Sequence, residues 1–160
     1  MLNETSSLFL ITGPGGLRYW RSTLGAAIWL WLIPFVISIP FFSPQGELLT
    51  GRDVFKLTMH LSGGVCGTYL LYRHLKHWLK LPELREHCIA FGFRTGVLWL
   101  LVNWLLDFLI LLPLSGQTPV EYFVATGLGY MMMVVTAVAL AAAMRAGLSQ
   151  QEAEIDVQHR

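Results

Sequence analysis

The chain has 160 residues, of which 54% are apolar and 13% are charged, whereas a soluble domain carries about 25% charged residues. Eleven Lys and Arg against ten Asp and Glu give a net charge of +1, which excludes a polybasic surface for nucleic acid. Cys66 and Cys88 form no C-x-x-C motif, so the sequence has neither a disulfide scaffold nor a thiol-exchange motif. This composition predicts an integral membrane protein.

Four segments are apolar enough to cross a hydrocarbon core, which takes about 20 helical residues. The predicted spans are residues 23–42, 54–72, 95–114 and 122–144. The second is the least apolar, because Lys56 and His60 lie in its first half. We therefore predict an all-α, four-helix membrane bundle over residues 23–144. An interfacial segment at 1–22 precedes it and a polar tail at 145–160 follows it.

Positive charges indicate which loops face the cytoplasm. They concentrate before the first span, between the second and third spans, and after the fourth span. Both termini and the middle loop are therefore predicted to be cytoplasmic. The residues that carry this prediction are Arg18, Arg21, Arg73, Lys76, Lys80, Arg85 and Arg145.

The two halves of the chain share a short pattern. Trp29 begins a span that ends near Pro40, and Asp53 follows it; Trp99 begins a span that ends near Pro113, and Glu121 follows it. Two spans per half would make this a parallel repeat about an axis along the membrane normal. A true duplication and a chance similarity of apolar segments both fit the pattern.

Ionisable groups within a span are functional candidates, because their burial in hydrocarbon is costly. Asp107 and His60 are predicted at similar depths, about 10 Å below the outer interface. Lys56 lies one turn from His60, and Asn103 one turn from Asp107. These four residues form a predicted intramembrane polar cluster, which would serve either as an interhelical packing clamp or as a proton or cation relay.

Small residues on the second span would allow a neighbouring helix to approach closely. Gly63, Gly64 and Gly67 lie on the same side as His60. We predict that they pack this helix against the third span. Such packing would bring the two halves of the polar cluster together.

The middle loop contains imidazole and thiol groups that could bind zinc or iron. The candidates are His74, His77, His87 and Cys88, with Glu83 and Glu86 nearby, but their spacing fits no standard zinc signature. An amphipathic loop in contact with lipid head groups explains the same residues. A haem would need a second deep histidine besides His60. No cofactor is predicted.

The second half carries a longer pattern from Gly96 to Tyr130. It reads G-x-x-W-L-x-x-x-W-L-L-D-x-x-x-L-x-P-L, followed by E-Y-F-x-x-x-G-L-x-Y. This run resembles a set of small, uncharacterised bacterial integral membrane proteins. The resemblance implies four spans and the bacterial cytoplasmic membrane. It implies no activity, cofactor or site residue.

Three functions follow as expectations. The first is a non-enzymatic accessory or scaffolding protein of the membrane, in contact with lipid and with a second copy or another membrane protein. The second is a small proton- or ion-coupled transporter that uses Lys56, His60 and Asp107. The third is a metal or redox protein built on the middle loop. No nucleic-acid partner is expected.

Overall fold

The computed structural model describes the backbone of residues 14–158 and the side chains of residues 16–81 and 84–150. The predicted segments 1–22 and 145–160 therefore lie partly outside the described residues, and the side chain of Glu83 lies outside them entirely.

The described residues are almost entirely helical, which confirms the all-α prediction. They contain no β-strand, only a single bridge between Phe42 and Leu48. Short 3₁₀ turns occupy Ile39–Phe41 and Gly127–Tyr130, and a π-helical turn occupies Asp107–Leu111. The α-helices are α1 (Pro14–Ser38), α2 (Arg52–Trp78), α3 (Pro82–Glu86), α4 (Cys88–Leu106), α5 (Leu112–Ser115), α6 (Pro119–Ala125) and α7 (Met131–Gln158).

Within the described part of the chain, three helical segments are long and apolar enough, by length and composition, to cross a membrane. They are Gly16–Phe41, Cys88–Ser115 and Gly127–Gln150. Each overlaps one of the predicted spans. The remaining predicted span lies within α2, which has 27 residues but is not among these three, since charged residues, histidines and glycines lower its hydropathy.

The four long helices contact one another in a closed order. Helix α1 packs against α2 and α4, and α7 packs against α4 and α2. Two apolar clusters fill the interior, one around Trp78 and Phe91 and one around Leu71 and Trp99. The most extensive contact joins α4 to α7.

This α4–α7 contact depends on two glycines one turn apart. A Cβ atom on Gly92 would lie 2.6 Å from the Cβ of Ala141 and 2.8 Å from the carbonyl oxygen of Ala137. A Cβ on Gly96 would lie 2.9 Å from the Cα of Val134. The two backbones are therefore as close as glycine permits, as in other small-residue helix interfaces.

The glycines predicted to pack α2 against the third span have other surroundings. A Cβ on Gly67 would lie 3.3 Å from Leu30, and one on Gly63 would lie 4.0 Å from Pro34, both on α1. A Cβ on Gly64 would meet no described atom within 4 Å. The contacts of Gly63 and Gly67 are thus to α1, whereas Gly64 lies on the exposed side of α2.

The segment predicted as one span over 122–144 is interrupted. Helix α6 ends at Ala125, and a 3₁₀ turn at Gly127–Tyr130 precedes α7. Glycine has low helix propensity, and Gly127 and Gly129 both lie in this turn. Beyond it, α7 continues through much of the predicted tail, as far as Gln158.

The two tryptophans paired in the repeat pattern have different environments. Trp29 is 58% exposed, whereas Trp99 is completely buried. The first half has only a 3₁₀ turn and a short loop between its helices, and the second half has a π-helical turn and α6 at the corresponding place. A common origin of the two halves stays a prediction.

Candidate functional site: a buried carboxylate between three segments

Helix α4 and the π-helical turn that follows it carry a row of polar or amphipathic side chains on their buried side. Thr95, Trp99, Asn103 and Asp107 recur every four residues, which places them on one helix face. Each of them is at most 1% exposed. Asp107 lies within the candidate span Cys88–Ser115, so its burial requires hydrogen-bond partners.

Both carboxylate oxygens of Asp107 have such partners. The indole Nε1 of Trp31 on α1 donates to Oδ1 at 2.6 Å. The hydroxyl of Tyr122 on α6 donates to Oδ2. Tyr130, in the 3₁₀ turn before α7, also lies within interaction range of Asp107 and Tyr122. We call Trp31, Asp107, Tyr122 and Tyr130 the Asp107 cluster.

The local backbone explains how Asp107 reaches these partners. Pro113 has no N–H, and its ring would clash with the carbonyl of Leu109 in a regular α-helix. The chain instead forms a π-helical turn, in which the amide of Leu112 donates to the carbonyl of Asp107. Such a widened turn changes the direction of a side chain and occurs frequently at functional sites.

The opposite side of the cluster is fixed by α6 and the turn after it. Thr118 begins α6 with a capping box, in which its hydroxyl accepts from the amide of Glu121 and the Glu121 carboxylate accepts from the amide of Thr118. The indole of Trp104 donates to the carbonyl of Gly127 at 3.0 Å. These bonds hold the segment that carries Tyr122 and Tyr130 against α4.

The capping box also affects the charge of Glu121, which lies outside the candidate spans. The backbone amide of Thr118 donates to its carboxylate at 3.0 Å, and the hydroxyl of Thr118 donates at 2.9 Å. Hydrogen bonds to the charged form lower the pKa of Glu121 below its ordinary value, the backbone amide contributing most.

The predicted polar cluster is only partly brought together. Asn103 and Asp107 are buried, whereas Lys56 and His60 are exposed. The Nδ1 of His60 donates to the carbonyl of Lys56 at 2.7 Å, so this bond stays within α2. Neither side chain is a hydrogen-bond partner of Asp107. The His60 ring does lie beside the 3₁₀ turn, since a Cβ on Gly129 would be 3.8 Å from its Nε2.

The side chain of Asn103 forms its hydrogen bond within its own helix, α4. Its Nδ2 donates to the carbonyl of Trp99 at 2.8 Å, four residues earlier. The bond satisfies part of a side chain that is 1% exposed. Asn103 therefore lies next to the Asp107 cluster along the helix without being one of the partners of the carboxylate.

A second polar contact lies toward the other end of the bundle. The hydroxyl of Thr23 donates to the carbonyl of Tyr19 at 2.8 Å, so its oxygen accepts from Nε2 of His74 at 3.3 Å. The ring of Trp99 lies 5.8 Å from that of His74. Among the described residues, neither Nε1 of Trp99 nor the buried hydroxyl of Thr95 has a hydrogen-bond partner. In this row on α4, Asp107 therefore has hydrogen-bond partners, whereas Thr95 and the indole of Trp99 have none among the described residues.

The candidate metal ligands occupy separate environments. His74 is buried, and His77 is exposed with its ring edge-on to Trp78. His87 is exposed, and the thiol of Cys88 donates to the carbonyl of Ala141 at 3.0 Å. Among the described residues, no three His, Cys, Asp or Glu side chains come together as a metal site would require.

Sequence reasoning did not identify Trp31, Tyr122 or Tyr130 as partners of Asp107. Tryptophan and tyrosine are common at membrane interfaces, so their presence near the ends of spans is not specific. One signal was available: a buried carboxylate needs donors, and the sequence E-Y-F-x-x-x-G-L-x-Y offers two tyrosine hydroxyls soon after Asp107.

The Asp107 cluster is chemically suited to two roles. It joins three segments through hydrogen bonds to one carboxylate, and it contains a tyrosine–carboxylate pair that could hold a proton. Comparison with known proteins adds nothing to this choice, since no protein-family model, curated protein or solved structure matches the chain.

Proposed function

We propose that the chain is a non-enzymatic, integral membrane protein of the accessory or scaffolding type, in which the Asp107 cluster is a packing clamp. The observation that carries this proposal is that each carboxylate oxygen of Asp107 accepts a hydrogen bond from a different segment. Its two oxygens accept from Trp31 on α1 and from Tyr122 on α6, and its side chain is completely buried. A carboxylate held in this way stabilises one arrangement of the helices.

The composition of the surface supports a place in the bilayer. Large apolar side chains are exposed along the candidate spans, and hydrocarbon is the solvent that would favour them. The pattern of basic loops supports cytoplasmic termini, and the resemblance of residues 96–130 to small bacterial membrane proteins implies a bacterial membrane. Examples of these exposed side chains are Leu101, Leu105, Leu109, Met132 and Val135.

Helix α2 is the fourth span in this proposal. Its 27 residues would extend over roughly 40 Å at 1.5 Å per residue, which exceeds the thickness of a hydrocarbon core of about 30 Å. It contacts both α1 and α7. Its weakly apolar, exposed side around His60 and Gly64 is the side that a second copy or another membrane protein would cover in an accessory role.

The Asp107→Asn variant tests the clamp. The asparagine keeps the shape of the side chain but places its NH₂ group opposite one of the two donors, Trp31 or Tyr122. We therefore expect the free energy of unfolding to fall by roughly 1–2 kcal/mol. The measurement is thermal unfolding in detergent micelles. Asp53→Asn is the matched control, because Asp53 is exposed at the first turn of α2. Equal stability of the two variants would contradict the proposal.

Proton-coupled transport is the second candidate. It is favoured by the unpartnered donors of Thr95 and Trp99, which lie on the same face of α4 as Asp107 and are groups to which water molecules would bind. Proton flux into proteoliposomes distinguishes the candidates. The clamp predicts the same flux as in empty liposomes, whereas a flux that Asp107→Asn or His60→Ala abolishes would establish the transporter and contradict the accessory role.

A further inference from the structure

A groove lies where the beginning of α4 meets α7, on the outer surface and away from the Asp107 cluster. It is a shallow groove that is largely open to the outside, with a volume of about 510 Å³. The lining combines charged or titratable side chains with apolar ones: Glu86, His87, Ile89, Ala90, Phe93, Val138 and Arg145.

The two kinds of side chain lie at opposite ends of the groove. The thiol of Cys88 bonds to the carbonyl of Ala141, and a Cβ on Gly92 would touch Ala141, so α4 and α7 run antiparallel in a known register. Arg145 is one turn beyond Ala141 and therefore lies level with Glu86 and His87. Phe93 and Val138 lie at the other end, deeper in the candidate spans.

This polarity matches that of a phospholipid. The charged end lies beside Cys88, where a candidate span begins, and the apolar end extends along that span. A lipid with its head group at Arg145 and the upper part of an acyl chain against Phe93 would have the orientation that a bilayer imposes.

The charges specify the head group. Arg145 complements a phosphate, and its guanidinium offers paired donors to it. Glu86, in the same lining, would repel a purely anionic head group but accept hydrogen bonds from a primary ammonium. A quaternary ammonium has no N–H to donate. We propose that this groove binds a zwitterionic phospholipid whose head group joins a phosphate to a primary ammonium, as phosphatidylethanolamine does.

The proposal rests on the proposed membrane insertion of α4 and α7, but not on the role of the Asp107 cluster. The test adds phosphatidylethanolamine, phosphatidylcholine and phosphatidylglycerol with identical acyl chains to the delipidated full chain in micelles. Bound lipid is measured by native mass spectrometry. Phosphatidylethanolamine is expected to be retained above the other two. Equal retention, or preference for phosphatidylglycerol, would overturn the proposal.

Three variants locate the site. Arg145→Gln removes the partner of the phosphate and Val138→Phe fills the groove, and each is expected to lower retention of phosphatidylethanolamine about tenfold. Glu86→Gln should reduce the preference for phosphatidylethanolamine over phosphatidylglycerol. Arg73→Gln is the control, since Arg73 is on α2 and bonds to Tyr69. Unchanged retention in both Arg145→Gln and Val138→Phe would overturn the proposal.

Membrane extraction separates this proposal from the proposed function. If the chain resists alkaline carbonate extraction and the Asp107→Asn variant is destabilised, but lipid retention is unselective, the groove proposal alone fails. If the chain is extracted as a soluble protein, the proposed function fails and the lipid proposal fails with it.

Discussion

Trp29 and Trp31 lie two residues apart on α1 and have opposite environments. Trp31 is 8% exposed and donates from its indole to Asp107 at 2.6 Å. Trp29 is 58% exposed. Residues two apart on a helix do not share a face, so one indole serves the interior and the other the surface. This pair offers a matched comparison of the same residue type in two roles.

Replacing each tryptophan with phenylalanine separates the hydrogen bond from the burial of an aromatic ring. Trp31→Phe leaves an oxygen of Asp107 without its donor, and we expect the free energy of unfolding to fall by roughly 1–2 kcal/mol. Trp29→Phe should change stability by less than about 0.5 kcal/mol. Thermal unfolding of the two variants in one detergent checks this. If Trp29→Phe lowers stability as much as Trp31→Phe does, the hydrogen bond from Trp31 to Asp107 does not account for the stability lost.

At the residue scale, the sequence is informative about burial and less so about partners. Asp107 and Asn103 are candidates because they interrupt an apolar run, and both are buried. Lys56 and His60 are candidates for the same reason, but both are exposed. Which side of α2 turns inward depends on packing with α1 and α7, and the weak apolar asymmetry of that helix does not reveal it.

At the scale of helices, the α4–α7 contact is the tightest in the fold. Gly92 and Gly96 form a small-xxx-small pair that receives Ala137 and Ala141. The spacing of this pair is visible in the sequence, but Arg94 lies between the glycines and the predicted third span began only at residue 95. The sequence analysis instead predicts close packing at Gly63, Gly64 and Gly67 on α2, of which Gly64 has no neighbour within 4 Å.

Alanine substitutions compare the two glycine sites at equal helix propensity. Each change should gain up to about 1 kcal/mol from propensity. At Gly92 the new methyl group would lie 2.6 Å from Ala141, so α4 and α7 must separate, at a cost of roughly 1–3 kcal/mol. We expect Gly92→Ala to be less stable than Gly64→Ala when both are unfolded thermally. The reverse order would contradict the observed close approach.

The capping box of α6 predicts a pH effect. Hydrogen bonds from Thr118 lower the pKa of Glu121 in the folded protein. The stabilisation is therefore complete above the unfolded pKa of about 4.5 and is lost as the pH falls through the lower, folded pKa. Amide hydrogen exchange in residues 119–125, corrected for intrinsic rates, should accelerate at acidic pH.

The Glu121→Gln variant is the control for this pH effect. Glutamine also completes a capping box but does not titrate, so its exchange rates should show no corresponding acceleration. If the variant and the natural chain respond equally to acid, Glu121 is not the titrating group.

At the scale of the whole molecule, composition predicts the helical class and four spanning helices. The described residues are helical and contain three apolar helices of spanning length. The irregular segments were not predicted. The π-helical turn at Asp107 and the 3₁₀ turn at Gly127 depend on Pro113, on two glycines and on tertiary hydrogen bonds, and each lies inside a predicted span. Because a hydropathy value is an average over many residues, it does not reveal such short irregular turns. They determine the Asp107 cluster.

The fourth span is a prediction about topology. If α2 crosses the bilayer, the loop before it and the loop after it face opposite sides. In a chain with Cys66→Ala and Cys88→Ala, an impermeant maleimide should label Gln45→Cys in intact cells and Lys80→Cys only after lysis. Both positions are exposed. Equal labelling of both in intact cells would contradict the four-span arrangement.

The central claim is that Asp107 and Tyr122 stabilise the fold through one shared contact. A double-mutant cycle of Tyr122→Phe and Asp107→Leu, read as the free energy of unfolding, tests it most directly. We predict that Tyr122→Phe costs roughly 1–2 kcal/mol in the natural chain and nearly nothing in the Asp107→Leu background, since the acceptor is then absent. If the costs of the two single variants add up to that of the double variant within about 0.5 kcal/mol, the clamp is contradicted.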